Sequence, residues 1–235
     1  MAMQTLPGIP GSSTGEILLL LFLVLVLFGA KLLPEFFKGI RKEIDEFTNE
    51  FPGKRQPLNP IAAFILWFAQ GFGAGRIPWG PGTFGSVVGL FWFFALVAGG
   101  SFWLYLIGCV VGIVVSVRFC GLAEIIMGER DPSSVVLDEI IAIPICFAGW
   151  VCLVYFKDGY MPDPDYFFSK QTWTVTAAIF ALFRLFDIAK PPPVYRSQSL
   201  PGGWGVTMDD VLAAVYVNVV VLGVHVINSF LTHGS

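Results

Sequence analysis

The sequence predicts an all-α integral membrane protein: a short N-terminal transmembrane helix with an amphipathic helix behind it, then a polytopic helical bundle whose polar motifs gather at the cytoplasmic interface. Three observations predict it. Of the 235 residues, 55% are hydrophobic and only 13% charged, against roughly 25% charged in soluble domains. The apolar residues fall in long blocks separated by short polar stretches, the pattern of segments dissolved in lipid. An alternating topology also places 12 of the 14 Lys and Arg on one side, as the positive-inside rule requires.

The first apolar run, EILLLLFLVLVLFG, covers 16–29. It lacks the basic start and small-residue cleavage site of a signal peptide and reads as a short span. In KLLPEFFKGIRKEIDEF, Phe36, Phe37, Ile40, Ile44, Phe47 and Phe51 recur at helical spacing, with Lys38, Arg41, Lys42, Glu43 and Asp45 between them. Such a helix lies on a membrane surface. The polar, Pro-bearing stretch 48–60 reads as a linker. Apolar blocks follow at 61–70, 86–98, 102–119, 140–156, 172–189 and 211–231. The block at 61–70 is too short to cross and is expected at the interface. The pairs 86–98 with 102–119 and 140–156 with 172–189 are expected as hairpins, the first turning at Gly99-Gly100-Ser101. With the N-terminus outside, only Lys157 and Lys170 lie on the outer face.

Composition also excludes several functions. A net charge of −3 gives no footprint for a nucleic-acid partner. The four cysteines, Cys109, Cys120, Cys146 and Cys152, form no CxxC pair and sit in or beside apolar blocks, as core or lipid-facing residues do. The two histidines fall in the last apolar block and the tail, so histidine-centred catalysis is not expected.

The same topology brings GFGAGRIPWGPGTFGS, LDEI, RLFDIAK and GGWGVTMDD to one face. Asp138, Glu139, Asp187, Asp209 and Asp210 are five carboxylates at the boundaries of apolar blocks, where an acid must be paired or bound to a cation. Two nearby bases, Arg184 and Lys190, are too few to pair them all. Hard oxygen ligands without His or Cys suit Mg²⁺. Adjacent helical residues point about 100° apart, so each acidic pair is expected to place one member on a metal. The other member orients Arg184 or Lys190, or acts as a base. Arg184, Asp187 and Lys190 fall within about 120° on one helix. They form either a phosphate grip beside a metal or a self-satisfied salt-bridge network. Pro81, Gly82, Thr83, Gly85 and Ser86 open into an apolar helix, whose first N–H groups suit an anion. The stretch lacks the Lys of a GxxxxGK[ST] loop, and its glycines equally permit close helix packing.

These four motifs, in this order, resemble the phosphatidylglycerophosphatase A family over residues 61–231. The chain departs from the family at Ala142, where relatives usually carry Gly, and at Gly80, where they often carry Ala. The resemblance implies a Mg²⁺-dependent phosphatase releasing phosphate from phosphatidylglycerophosphate, a membrane phospholipid, at the cytoplasmic face of a bacterial inner membrane. It implies catalytic and metal roles for Asp138, Glu139, Asp187, Asp209 and Asp210. It further implies phosphate-binding roles for Arg184, Lys190, Gly82, Thr83, Gly85 and Ser86. Whether water or an aspartate attacks is left open, as are one metal ion or two. Residues 14–51, with Glu16 near the outer end of the first span and Phe28-Gly29 at its inner end, resemble the small pore-forming subunit of the twin-arginine translocase. The expected organisation is therefore 1–51 as translocase-like anchor, 52–60 as linker and 61–235 as phosphatase-like domain. Residues 14–51 are the expected surface for self-association or contact with export machinery. In the competing reading the chain is an export component with a helical scaffold behind it. A third reading, an ion-coupled transporter, expects acids at mid-membrane rather than at block ends.

Overall fold

The computed structural model describes residues 59–233, and throughout them every regular element is helical. The expected span at 16–29, the amphipathic helix behind it and most of the linker lie outside the described residues. The linker ends sooner than expected, because Asn59 caps a helix: its Oδ1 accepts the Ile61 N–H at 3.1 Å, and Pro60 fills the first turn. Helix α1 runs Pro60–Ala69 and leads into a 3-10 segment, Gly71–Arg76. Then come α2 (Pro81–Ala98), α3 (Phe102–Met127), α4 (Leu137–Asp158), α5 (Pro164–Phe168), α6 (Trp173–Ala189), α7 (Val194–Ser197) and α8 (Gly203–His233).

Four of these helices are long and apolar enough to cross a bilayer: α2, α3, α4 and α8 over Gly203–Ile227. The chain is a multi-pass membrane protein. The expected fifth crossing, 172–189, forms α6, whose 17 residues rise about 26 Å, just short of a typical hydrocarbon core of about 30 Å. Two boundaries also moved. Helix α3 continues past 119 to Met127, because Arg118 is exposed and interrupts nothing. Helix α8 begins at Gly203 rather than near 211, so Asp209 and Asp210 lie about two turns inside it. The α2–α3 turn matches its expected position: Gly100 takes φ 68°, and Ser101 caps α3 through the Leu104 N–H.

Helix α4 is the centre, packed by α2, α3, α6 and α8. Small residues let the backbones close up. A Cβ on Gly89 of α2 would stand 2.9 Å from the Ile140 carbonyl oxygen, and one on Gly203 would stand 1.9 Å from that of Val117. The apolar core is aromatic, with Phe93 and Phe147 stacked at 4.2 Å and Phe167 edge-on to Phe93 at 4.9 Å. Phe167 comes from α5, in the stretch between the apolar blocks 140–156 and 172–189.

Pro144 lies inside α4, and side chains from neighbouring helices bond to the helix backbone at and just beyond it. The Tyr105 hydroxyl donates to the Pro144 carbonyl. Asn218 of α8 inserts itself one turn on: its amide donates to the Ile145 and Ala214 carbonyls at 2.7 and 2.8 Å, and its Oδ1 accepts the Gly149 N–H at 2.6 Å. No water reaches a bilayer interior to satisfy such groups, so Asn218 ties α8 to α4 through hydrogen bonds rather than apolar contact.

Candidate active site

The end of the bundle that carries the acids is built from the loop before α4 outward. Gly75 allows the 3-10 segment to lie against residues 134–136: a Cβ there would meet the Ser134 carbonyl oxygen at 1.9 Å. The Val136 N–H then bonds to the Ala69 carbonyl at 3.0 Å. Gln70, itself buried, donates to Ser134 Oγ at 3.1 Å and accepts from Arg76 Nε at 2.7 Å. The first glycine motif thus fixes the start of α4, two residues before Asp138.

Three of the five acids come together. Carboxylate oxygens of Asp138, Glu139 and Asp210 lie within 4.8 Å of one another, and Asp138 and Asp210 are 7% and 3% exposed. At that separation two unit charges repel by about 3.5 kcal/mol for an effective dielectric of about 20. Three such pairs need a cation, or shared protons, to coexist. Glu139 Oε2 is buried and has no hydrogen-bond partner among the described residues. Hard oxygens at this spacing, one of them orphaned, fit a hard divalent cation such as Mg²⁺.

The other two acids are taken by the bases. Asp187 accepts from Arg184 at 2.8 Å across one helical turn, and Arg184 also stands 4.0 Å from Glu139 Oε1. Lys190 follows the last residue of α6 in a left-handed conformation, φ 42° and ψ 59°. Its ammonium reaches Asp209 Oδ2 at 2.6 Å. Burial works against the Lys190 charge, but the hydrogen bond and the negative charge of Asp209 outweigh it and hold its pKa above the ordinary value. Gln198 donates to the same Asp209 oxygen at 3.1 Å, and Asp209 Oδ1 accepts the Asp210 N–H at 3.1 Å. Asp209 therefore ties Lys190, Gln198 and the backbone of Asp210 together. Within 209–210 one member enters the cluster and one holds a base. Both Asp138 and Glu139 enter it, with Asp138 Oδ1 accepting the Glu139 N–H at 3.1 Å.

The residues of the glycine stretch before α2 make several different contacts. Pro81 has no N–H, and those of Thr83 and Phe84 bond to the Gly80 carbonyl at 2.9 and 3.2 Å. Thr83 is exposed, and Gly85 packs on Val136, which a Cβ would meet at 2.7 Å. Gly82 and Ser86 reach the centre. A Cβ on Gly82 would stand 2.2 Å from Glu139 Oε1 and 3.1 and 3.2 Å from the two terminal nitrogens of Arg184. Ser86 is fully buried, donates to the Gly82 carbonyl at 2.8 Å and accepts from Arg184 at 3.3 Å. Arg184 is thus held from three sides, while its buried Nε has no partner among the described residues.

Gln198 was not expected from sequence: a lone Gln in a Pro/Gly-rich loop carries no spacing signal. Its place after FRLFDIAKPPP, where the chain must fold back toward α8, is the only hint.

Comparison with known proteins bears on the same residues. The family described as Phosphatidylglycerophosphatase A matches residues 67–225, and the mttA/Hcf106 family matches residues 10–51. A phosphatidylglycerophosphatase A of Haemophilus influenzae is 33% identical over 168 residues, covering 71% of this chain and 90% of that protein. A putative phosphatidylinositol-3-phosphatase of Bacteroides thetaiotaomicron is 38% identical over 155 residues, covering 62% and 84%. A phosphatidylglycerophosphatase A of Escherichia coli is 33% identical over 149 residues, covering 63% and 75%. No solved structure matches the chain.

Proposed function

The chain belongs to the phosphatidylglycerophosphatase A family, a family of phosphatases, and we propose that it hydrolyses phosphatidylglycerophosphate to phosphatidylglycerol and inorganic phosphate in glycerophospholipid biosynthesis. The observation that carries this reading is the buried trio of Asp138, Glu139 and Asp210 set beside Arg184. In this reading the trio holds Mg²⁺, and Asp187 and Asp209 complete the acidic set by orienting Arg184 and Lys190. The ion supplies positive charge against the phosphoryl oxygens. Arg184, through its partnerless Nε, and Lys190 neutralise charge as it develops on the transferred group. Ser86 and the bare backbone of Gly82 keep Arg184 and Glu139 in register and leave room beside them.

The reaction is placed at the cytoplasmic face of a bacterial inner membrane, on the strength of the Lys and Arg distribution. The organisation proposed is 1–51 as anchor, 52–60 as linker and 61–235 as the catalytic unit. Residues 14–51 serve self-association or contact with export machinery.

One observation favours a second substrate: the Bacteroides thetaiotaomicron relative is named for a phosphoinositide. Phosphate release from phosphatidylglycerophosphate and from phosphatidylinositol 3-phosphate, at equal surface concentration in mixed micelles, separates the two. Faster release from phosphatidylglycerophosphate is expected. Faster release from the phosphoinositide replaces the substrate, and release from neither refutes the lipid-phosphatase reading.

A further inference from the structure

Beside the acid cluster, separated from it by Gln198, lies an open cavity of about 630 Å³. Gln198 links the two: its side-chain amide holds Asp209, and the residue also lines the cavity. The wall is braced by Arg130, whose guanidinium donates to the Gln198 and Leu200 carbonyls. Glu124 is likewise engaged, accepting the Asp131 N–H at 2.9 Å. Arg196 and the Asp131 carboxylate remain to face a ligand, with the Ser199 hydroxyl donating to the Arg196 carbonyl at 2.7 Å.

We propose that this cavity is a headgroup subsite for a lipid bearing two phosphates, in which Arg196 binds the phosphodiester while the monoester lies at the acid cluster. The inference rests on the phosphatase reading above. A phosphodiester carries a single negative charge and suits one guanidinium. The single hydroxyl on the glycerol between the two phosphates would donate to Asp131 or to the lone pair left on Ser199 Oγ. A lipid with one phosphate could not use both ends. The subsite therefore selects substrate by the group next to the scissile bond.

The test is Arg196→Ala in the full chain, reading KM for phosphatidylglycerophosphate and the inhibition constant of inorganic phosphate, which has no diester. A KM raised about tenfold, the contribution of one charge-assisted hydrogen bond, with phosphate inhibition moved less than twofold, is the expected result. Arg196→Lys should restore part of the loss. An unchanged KM overturns the subsite. So does an equal rise in both constants, which would place Arg196 at the reaction site. If Arg196→Ala does not fold, Arg196→Lys with Ser199→Ala gives the same readout. No hydrolysis by the unaltered protein overturns the phosphatase reading itself, and the subsite with it.

Discussion

Replacing Gly82 by Ala adds one methyl group at the most crowded point of the site. That methyl would stand 2.2 Å from Glu139 Oε1, where an ordinary carbon–oxygen contact needs about 3.2 Å or more. Glu139 must retreat by about 1 Å, and a displacement of that size at a catalytic group is worth about 10²-fold in rate. Arg184 has little room to yield, since the same methyl would lie 3.1 and 3.2 Å from its terminal nitrogens. Stability moves the other way or not at all. Gly82 sits in the first turn of a helix, where Ala is favoured over Gly by at most about 1 kcal/mol, which offsets part of the clash. Gly82→Ala should therefore insert and melt within a few degrees of the unaltered protein while losing about 10²-fold in kcat. Phosphate release and thermal unfolding in detergent measure the two. Unimpaired turnover would refute the claim that Glu139 and Arg184 meet over Gly82 in the working enzyme.

Lys190→Met leaves Asp209, 5% exposed, without its cation. The loss should be about 2–3 kcal/mol, below the 3–5 kcal/mol of a fully buried pair because Lys190 is 26% exposed. Turnover should fall as well, and denaturation midpoints with kinetics on one preparation check both. Asn218→Leu removes two hydrogen bonds between α8 and α4 and one within α8 and should lower stability by about 1–2 kcal/mol. Measurable turnover should remain, because Asn218 makes its hydrogen bonds around Pro144 rather than at the acids. Removing residues 1–57 should leave phosphate release in place if catalysis belongs to the later residues, and should abolish it if the N-terminal segment is part of the active unit.

Much of the fold was legible because apolar blocks of bilayer length leave few alternatives. Clustering the acids at one end followed from counting charges. The sequence could not say which acids share a cation. Adjacent carboxylates differ by about 100° on a helix, but Asp138 and Glu139 sit in the first turn of α4 and both enter the cluster, whereas of Asp209 and Asp210 only the second does. That choice depends on Lys190 arriving from another helix in a left-handed conformation, a long-range fact with no local signature. The same holds for Asn218, whose role appears only beside Pro144, about 70 residues away. The glycines of 82–86 read as an anion loop or as packing. The structure gives Gly85 and Gly89 to packing and Gly82 to the site, since the difference is what stands opposite each.

The most direct test measures phosphate release from phosphatidylglycerophosphate by the purified chain, with Mg²⁺ and with chelator, beside Asp210→Asn. Asp210 is 3% exposed and belongs to the three-carboxylate cluster. Release should require the metal, return when Mg²⁺ is restored, and fall by 10³-fold or more in Asp210→Asn, about 4 kcal/mol of lost transition-state stabilisation, while the variant remains inserted. Release that is indifferent to chelator, or undiminished in Asp210→Asn, would contradict the assignment of the acid cluster as the metal-holding centre.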